Sequence, residues 1–122
     1  MSEFDDQVAV VKWFRMQYPE HCRRLIASGN GLHIAGTAIH RAIKWNKFRD
    51  SGGVAGVADL FLAIPAGRYH GLWVEMKYGK NTVTDEQNHF LSDMADAGYA
   101  IVICYSAQSA IDAIKIYLKY LT

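Results

Sequence analysis

Ala58-Asp-Leu-Phe-Leu-Ala-Ile64 and Gly71-Leu-Trp-Val-Glu-Met-Lys-Tyr78 decide the fold. Both runs are rich in aliphatic, aromatic and β-branched residues, and Pro65-Ala-Gly-Arg-Tyr-His70 between them carries turn signals, so they read as an antiparallel hairpin. Side chains on a strand alternate, which sends Leu72, Val74 and Met76 to one face and Trp73, Glu75 and Lys77 to the other. On the first strand Asp59 shares a face with Phe61 and Ala63. A register with Pro65 across from Tyr69 sets Asp59 directly opposite Glu75, because antiparallel partners move by equal and opposite counts. Other loop lengths would give other registers.

Helices are expected on either side of the hairpin. Phe4, Val8, Val11, Phe14 and Tyr18 recur at helical spacing ahead of Pro19 and predict a first helix over residues 3–17, which puts Glu3 and Gln7 on one face. A short apolar run at 25–28 ends at the turn signal Gly29-Asn30-Gly31 and suggests a brief strand. Residues 35–49 read as a second helix with Ile39, Ala42 or Ile43, and Phe48 facing inward and Arg41, Lys44 and Lys47 along one basic side. Thr84-Asp-Glu-Gln87 matches a capping box and opens a helix bearing Phe90, Leu91 and Met94, with Gly98 placed to end it. Residues 99–105 form an apolar run short enough for a buried strand, and Ser106 can cap a last helix bearing Ile111, Ile114 and Leu118.

The chain has 122 residues, about half of them hydrophobic (51%), which fits one compact domain with a real core. It shows no apolar run long enough to span a membrane, and its acidic opening lacks the apolar stretch of a signal peptide, so a cytosolic protein is expected. Cys22 and Cys104 form no CxxC pair and read as reduced, partly buried thiols. Net charge is only +1, but every charge between residues 12 and 49 except Glu20 is basic. That asymmetry suits a phosphate-facing surface, and a solvated basic face would look the same.

Two carboxylates opposed on a half-buried sheet repel each other unless something positive sits between them. Lys77 offers one charge and a divalent cation more; an all-oxygen site of carboxylates, carbonyls and water suits Mg²⁺ or Mn²⁺ better than zinc. The spacing alone leaves open a plainer arrangement, in which Asp59 pairs with Lys77 and Glu75 reaches solvent at the strand's end.

An Asp ahead of a loop, followed by Glu75-Met76-Lys77, looks like the D…(D/E)xK signature of the PD-(D/E)xK nuclease superfamily. The surroundings are more specific: Gly53-Val-Ala-Gly-Val-Ala-Asp59-Leu-Phe-Leu, then the strand through Glu75 and Lys77, then Thr84-Asp-Glu-Gln87, then Gly98-Tyr-Ala-Ile-Val-Ile-Cys104. This succession resembles the VRR-NUC family, the virus-type replication and repair nuclease domain found alone in phages and at the end of the Fanconi anaemia-associated nuclease. Glu3 to Gln7 and Asn30-Gly31 also resemble that family's opening helix and following turn. Ala58 stands where the superfamily's name puts proline, which would restrict the backbone but supply no catalytic atom.

The resemblance implies an α/β restriction-endonuclease-like fold, a mixed central sheet flanked by helices in a single domain over 1–122, with the metal site where the hairpin strands diverge. It implies that Asp59, Glu75 and the backbone carbonyl of Met76 hold Mg²⁺ or Mn²⁺, and that Lys77 orients or helps deprotonate the attacking water. Glu3 is implied as an additional acidic ligand or water-mediated partner, though a solvated acid at a helix start is the alternative. Gln87 is implied near the active centre, though as the last member of its capping box it has a structural task already. The activity implied is a metal-dependent DNA endonuclease acting on branched DNA, like Holliday-junction resolvases, as a homodimer in replication, recombination or repair. Its setting would be the cytoplasm of a bacterial or phage-infected cell, with no membrane partner. A non-catalytic DNA-binding module that keeps the fold is the rival reading. The five histidines form no HExxH zinc motif, although His33 is placed to reach a phosphate; Trp13, Trp45 and Trp73 read as core anchors.

Overall fold

A computed structural model describes residues 2–29 and 36–121, with the side chain of Leu121 left aside. The turn at Asn30-Gly31, His33 and the expected helix start at Ala35 lie outside the described residues. The elements run α1 (Glu3–Gln17), a 3-10 turn (Pro19–Arg24), β1 (Leu25–Ala27), α2 (Ala38–Asp50), β2 (Leu60–Leu62), β3 (Leu72–Met76), α3 (Asp85–Asp96), β4 (Ala100–Cys104), α4 (Ala107–Leu118) and a final 3-10 turn (Lys119–Leu121).

The strands form one sheet in the order β1-β2-β3-β4. The first three run antiparallel to their neighbours, and β4 lies parallel to β3 after the α3 crossover. The hairpin pairs Leu60 with Val74, Phe61 with Trp73 and Leu62 with Leu72, the register that aligns Asp59 with Glu75. At the turn, however, Ala66 rather than Pro65 pairs with Tyr69. The expected anchor is therefore off by one residue while the strands themselves keep the expected alignment. Both strands are shorter than expected, and β2 ends its pairing before Asp59, where the chain begins to diverge.

Period-two alternation explains the core. Leu60, Leu62, Leu72, Val74 and Met76 are all buried on one face, where α1 brings Val10 and Phe14 and α4 brings Ala110, Ile114, Tyr117 and Leu118. The Tyr117 hydroxyl satisfies itself inside that layer by donating to the Ile64 carbonyl at 2.6 Å. On the opposite face Phe61 stacks tilted against Trp73 at 4.5 Å, and Phe90 of α3 meets Trp73 edge-on at 4.9 Å. Helices α1 and α4 thus cover one side and α3 the other. Cys22 and Cys104 are free thiols, half-buried and buried. Among the described residues no helix is long and apolar enough to cross a membrane.

Helix α2 departs from expectation. Thr37 caps it by accepting from the His40 N–H, so its start is locally specified. Yet Ile39 is 72% exposed, Ile43 48% and Phe48 45%, and no residue of α2 is buried. Ile39 and Ile43 share one side of the helix and Phe48 lies nearly opposite, and among the described residues no helix or strand buries either side. Among the described residues Trp45 meets Phe48 as its one aromatic partner, at 5.6 Å, and it is not part of the core.

Candidate active site

The cluster forms where β2 and β3 part. Asp59, one residue ahead of β2, keeps its backbone in the sheet, since its carbonyl accepts from the Ser28 N–H at 2.9 Å. Its side chain bends to the hairpin partner and accepts from the Met76 N–H at 2.7 Å. A short bond of this kind fixes the carboxylate and leaves its other oxygen for a further partner. Glu75 and Lys77 follow on β3, only 3% and 7% exposed. The Lys77 ammonium stands 3.6 Å from the Glu75 carboxylate. The arrangement in which Glu75 reaches solvent and Lys77 pairs with Asp59 is therefore not the one adopted.

Gln87 closes the cluster from α3. Its backbone N–H donates to the Thr84 hydroxyl at 3.2 Å and its side-chain oxygen accepts from the Thr84 N–H at 2.9 Å, a reciprocal capping box. The same oxygen also accepts from Lys77 Nζ at 2.7 Å, while its amide nitrogen donates to Glu75 at 3.3 Å. Helix cap and site clamp are one side chain doing two tasks, so the two readings of Gln87 are not alternatives. Gly56 makes the approach possible: at φ +80°, an added Cβ would lie 2.5 Å from the Glu86 carbonyl, so the loop leading to Asp59 can press on the first turn of α3 only without a side chain.

Electrostatics single out the acids. Burial, reinforced by the neighbouring Asp59 charge, pushes Glu75 up to about 7, against the opposing pull of Lys77. Burial also raises Asp59, against the lowering effect of its bond from Met76. Glu3, half-buried at the start of α1, acts on both carboxyls as a further negative charge and so belongs to the same field. Asp6, one turn along α1, is 6% exposed on the stripe that continues to Val10 and Phe14. Sequence reading passed over it in favour of Gln7, although its spacing of four from Val10 was a usable signal for an inward position.

Such a field can be relieved by a proton or by a cation, and hard oxygen donors suit Mg²⁺ or Mn²⁺. Among the described residues no three His, Cys, Asp or Glu side chains stand close enough to cage a metal by themselves. Asp59 and Glu75 would supply two oxygens, with the Met76 carbonyl and water filling the remaining positions. That is the usual economy of magnesium sites, which keep several waters. Glu3 acts on the pair as a further negative charge.

The VRR-NUC domain profile matches residues 3–108, which include every residue of this cluster. A solved structure described as a VRR_NUC domain protein superposes with a TM-score of 0.79 at 26% identity, covering 98% of this chain and 90% of the other. No curated protein matches.

Proposed function

The chain belongs to the VRR-NUC family of nuclease-type domains, and from that premise we propose that it is a Mg²⁺- or Mn²⁺-dependent DNA endonuclease. The observation that carries this reading is the cluster of half-buried Asp59 with buried Glu75 and Lys77, drawn together at the diverging end of a hairpin and clamped by Gln87.

When bound, a divalent cation would supply charge stabilisation for the phosphoryl oxygens and lower the pKa of a coordinated water. Asp59 and Glu75, with the Met76 carbonyl, are the residues that would hold it. Lys77 orients the attacking water and takes part in its proton transfer; its ammonium is already held in place by Gln87 and Glu75. Gln87 keeps Lys77 from collapsing fully onto Glu75, because its carbonyl competes for the same ammonium.

The substrate we infer is branched DNA and the acting species a homodimer, since a chain with a single such cluster needs a second copy to cut both strands of a junction. The test is incubation of the purified chain with labelled four-way junctions, flaps and linear duplex, with Mg²⁺ or Mn²⁺, beside Lys77→Ala. Metal-dependent cutting of the junction that vanishes in the variant supports the reading. Tight binding without cleavage under either metal would favour a DNA-binding module that keeps the fold.

A further inference from the structure

The sheet face that carries the acids also carries an apolar patch that a metal site does not explain. Ile26 pairs with Phe61, the Ser28 N–H donates to the Asp59 carbonyl and the Ala63 N–H donates to the Arg24 carbonyl. Alternation therefore sets Arg24, Ile26 and Ser28 on the same face as Phe61 and Asp59. Phe61 follows Asp59 by two residues, about 6.6 Å along the strand. Helix α3 lays Phe90 on Trp73 but leaves the β1 side of this face open, with Ile26 47% exposed and Phe61 half-buried. The Phe61 ring is nevertheless fixed. It stacks tilted on Trp73 at 4.5 Å, meets Tyr99 edge-on at 5.7 Å, and lies so close over Gly71 that a Cβ there would come within 2.9 Å of it.

At the far end of this lane Arg23 and Arg24 are exposed, and among the described residues neither meets a carboxylate. Acids fit to hold a cation, a fixed aromatic ring and free positive charge thus follow one another on one continuous surface. A peptide would use the apolar part and leave the rest. A nucleic-acid strand uses all three, through a phosphate at the acids, a base on the ring and a further phosphate at the arginines. Bases inside a duplex are already stacked on their neighbours, so the base that meets Phe61 must be unpaired. Bringing it out costs least where pairing is already broken, as at a branch.

We propose that Phe61, flanked by Ile26, is a stacking subsite for an unpaired base of the substrate strand next to the phosphate held at the acids, with Arg23 and Arg24 taking a phosphate further along that strand. The proposal rests on the DNA substrate of the nuclease reading and narrows it to DNA unpaired beside the cut, but it does not depend on turnover.

The test is binding of the full chain, with Ca²⁺ as the hard cation, to a labelled duplex carrying a short single-stranded gap and to the same DNA with the gap made abasic. The wild type should favour the gap that keeps its bases by about 5- to 150-fold. That preference should largely vanish in Phe61→Leu and shrink in Ile26→Ser, a change at an exposed position that keeps the test alive if the first variant folds poorly. A weakened fold would lower binding to both DNAs and leave their ratio, so the ratio reads stacking apart from stability. Arg23→Ala with Arg24→Ala should weaken both DNAs alike and make the salt dependence shallower. Equal binding of the two DNAs by the wild type overturns the proposal, as does a preference that survives both the Phe61 and Ile26 changes. A change of molecular mass in Ile26→Ser with the base preference intact would make this a protein-docking face and overturn it too. Base-dependent binding without cutting in Mg²⁺ or Mn²⁺ ends the nuclease reading and leaves this one standing, while cutting without base dependence does the reverse.

Discussion

Helices α2 and α3 begin alike and end differently. Each opens on a threonine that caps its first turn, and they differ in length by one residue. Helix α3 buries Leu91, sets Phe90 on Trp73 and turns its capping Gln87 inward to Glu75 and Lys77. Helix α2 buries nothing. Local chemistry is enough to start a helix, but only a covered face gives it a fixed position from which to hold a side chain within hydrogen-bonding distance of a site.

If the chemistry sits under α3, the largest effect should come from removing the group its cap holds. Lys77→Ala should lower DNA cleavage by about 100- to 10,000-fold with the fold retained, as measured by single-turnover gel assays and circular dichroism. A residual rate within a few-fold of wild type would break the contrast, since the buried lysine would then be structural only.

The acids beneath α3 should also make the metal-free protein pH-sensitive. Glu75 titrates near 7 in the fold and near 4.5 in the unfolded chain. The native state therefore binds more protons across that window, and its stability must fall as pH rises from about 4.5 to about 7, by up to roughly 3 kcal/mol. Urea titrations in chelator should show this slope, and Glu75→Gln should flatten it while raising stability at neutral pH. A stability that rises with pH over this window would contradict the burial account.

Gln87→Ala removes half of a capping box and the contacts to Glu75 and Lys77. The expected cost is about 1 kcal/mol of stability together with roughly a 10- to 100-fold loss of metal affinity or activity. Thr84→Ala sharpens the point by touching the cap without the site, so it should lose comparable stability and much less activity. The smallest effect belongs to α2: Thr37→Ala should loosen amides 38–50 by about 1 kcal/mol or less in hydrogen exchange, and leave Mn²⁺ affinity unchanged.

Much of this arrangement was legible in residues alone. Helix α1 occupies residues 3–17 as expected, although Phe4 of its expected stripe is exposed and Val10 is buried instead; the expected register of the hairpin holds in β2 and β3, because a slip by one residue would turn the large aliphatic residues of one strand to the other face. The displaced pair Ala66 with Tyr69 was not legible, since a turn can absorb one residue without altering the strands beyond it. The exposure of Ile39 and Ile43 was hidden for a different reason: an apolar stripe says what would be buried, and tertiary or quaternary contacts decide whether it is. For the site, alternation placed Glu75 beside Lys77, and family resemblance added Glu3 and Gln87. That one glutamine both caps α3 and clamps Lys77 depends on how α3 folds back over the sheet, a distance in space that spacing along the chain does not encode.

The central claim is that Asp59 and Glu75 face each other because a hard divalent cation stands between them in the working protein. Calorimetric titration of Mn²⁺ into the chelator-treated wild type and Glu75→Gln at pH 8, without DNA, tests it directly. The account predicts saturable binding to the wild type that releases protons as pH approaches 7, and a large loss of affinity in the variant. Equal binding by both proteins, or no binding by either, would contradict it.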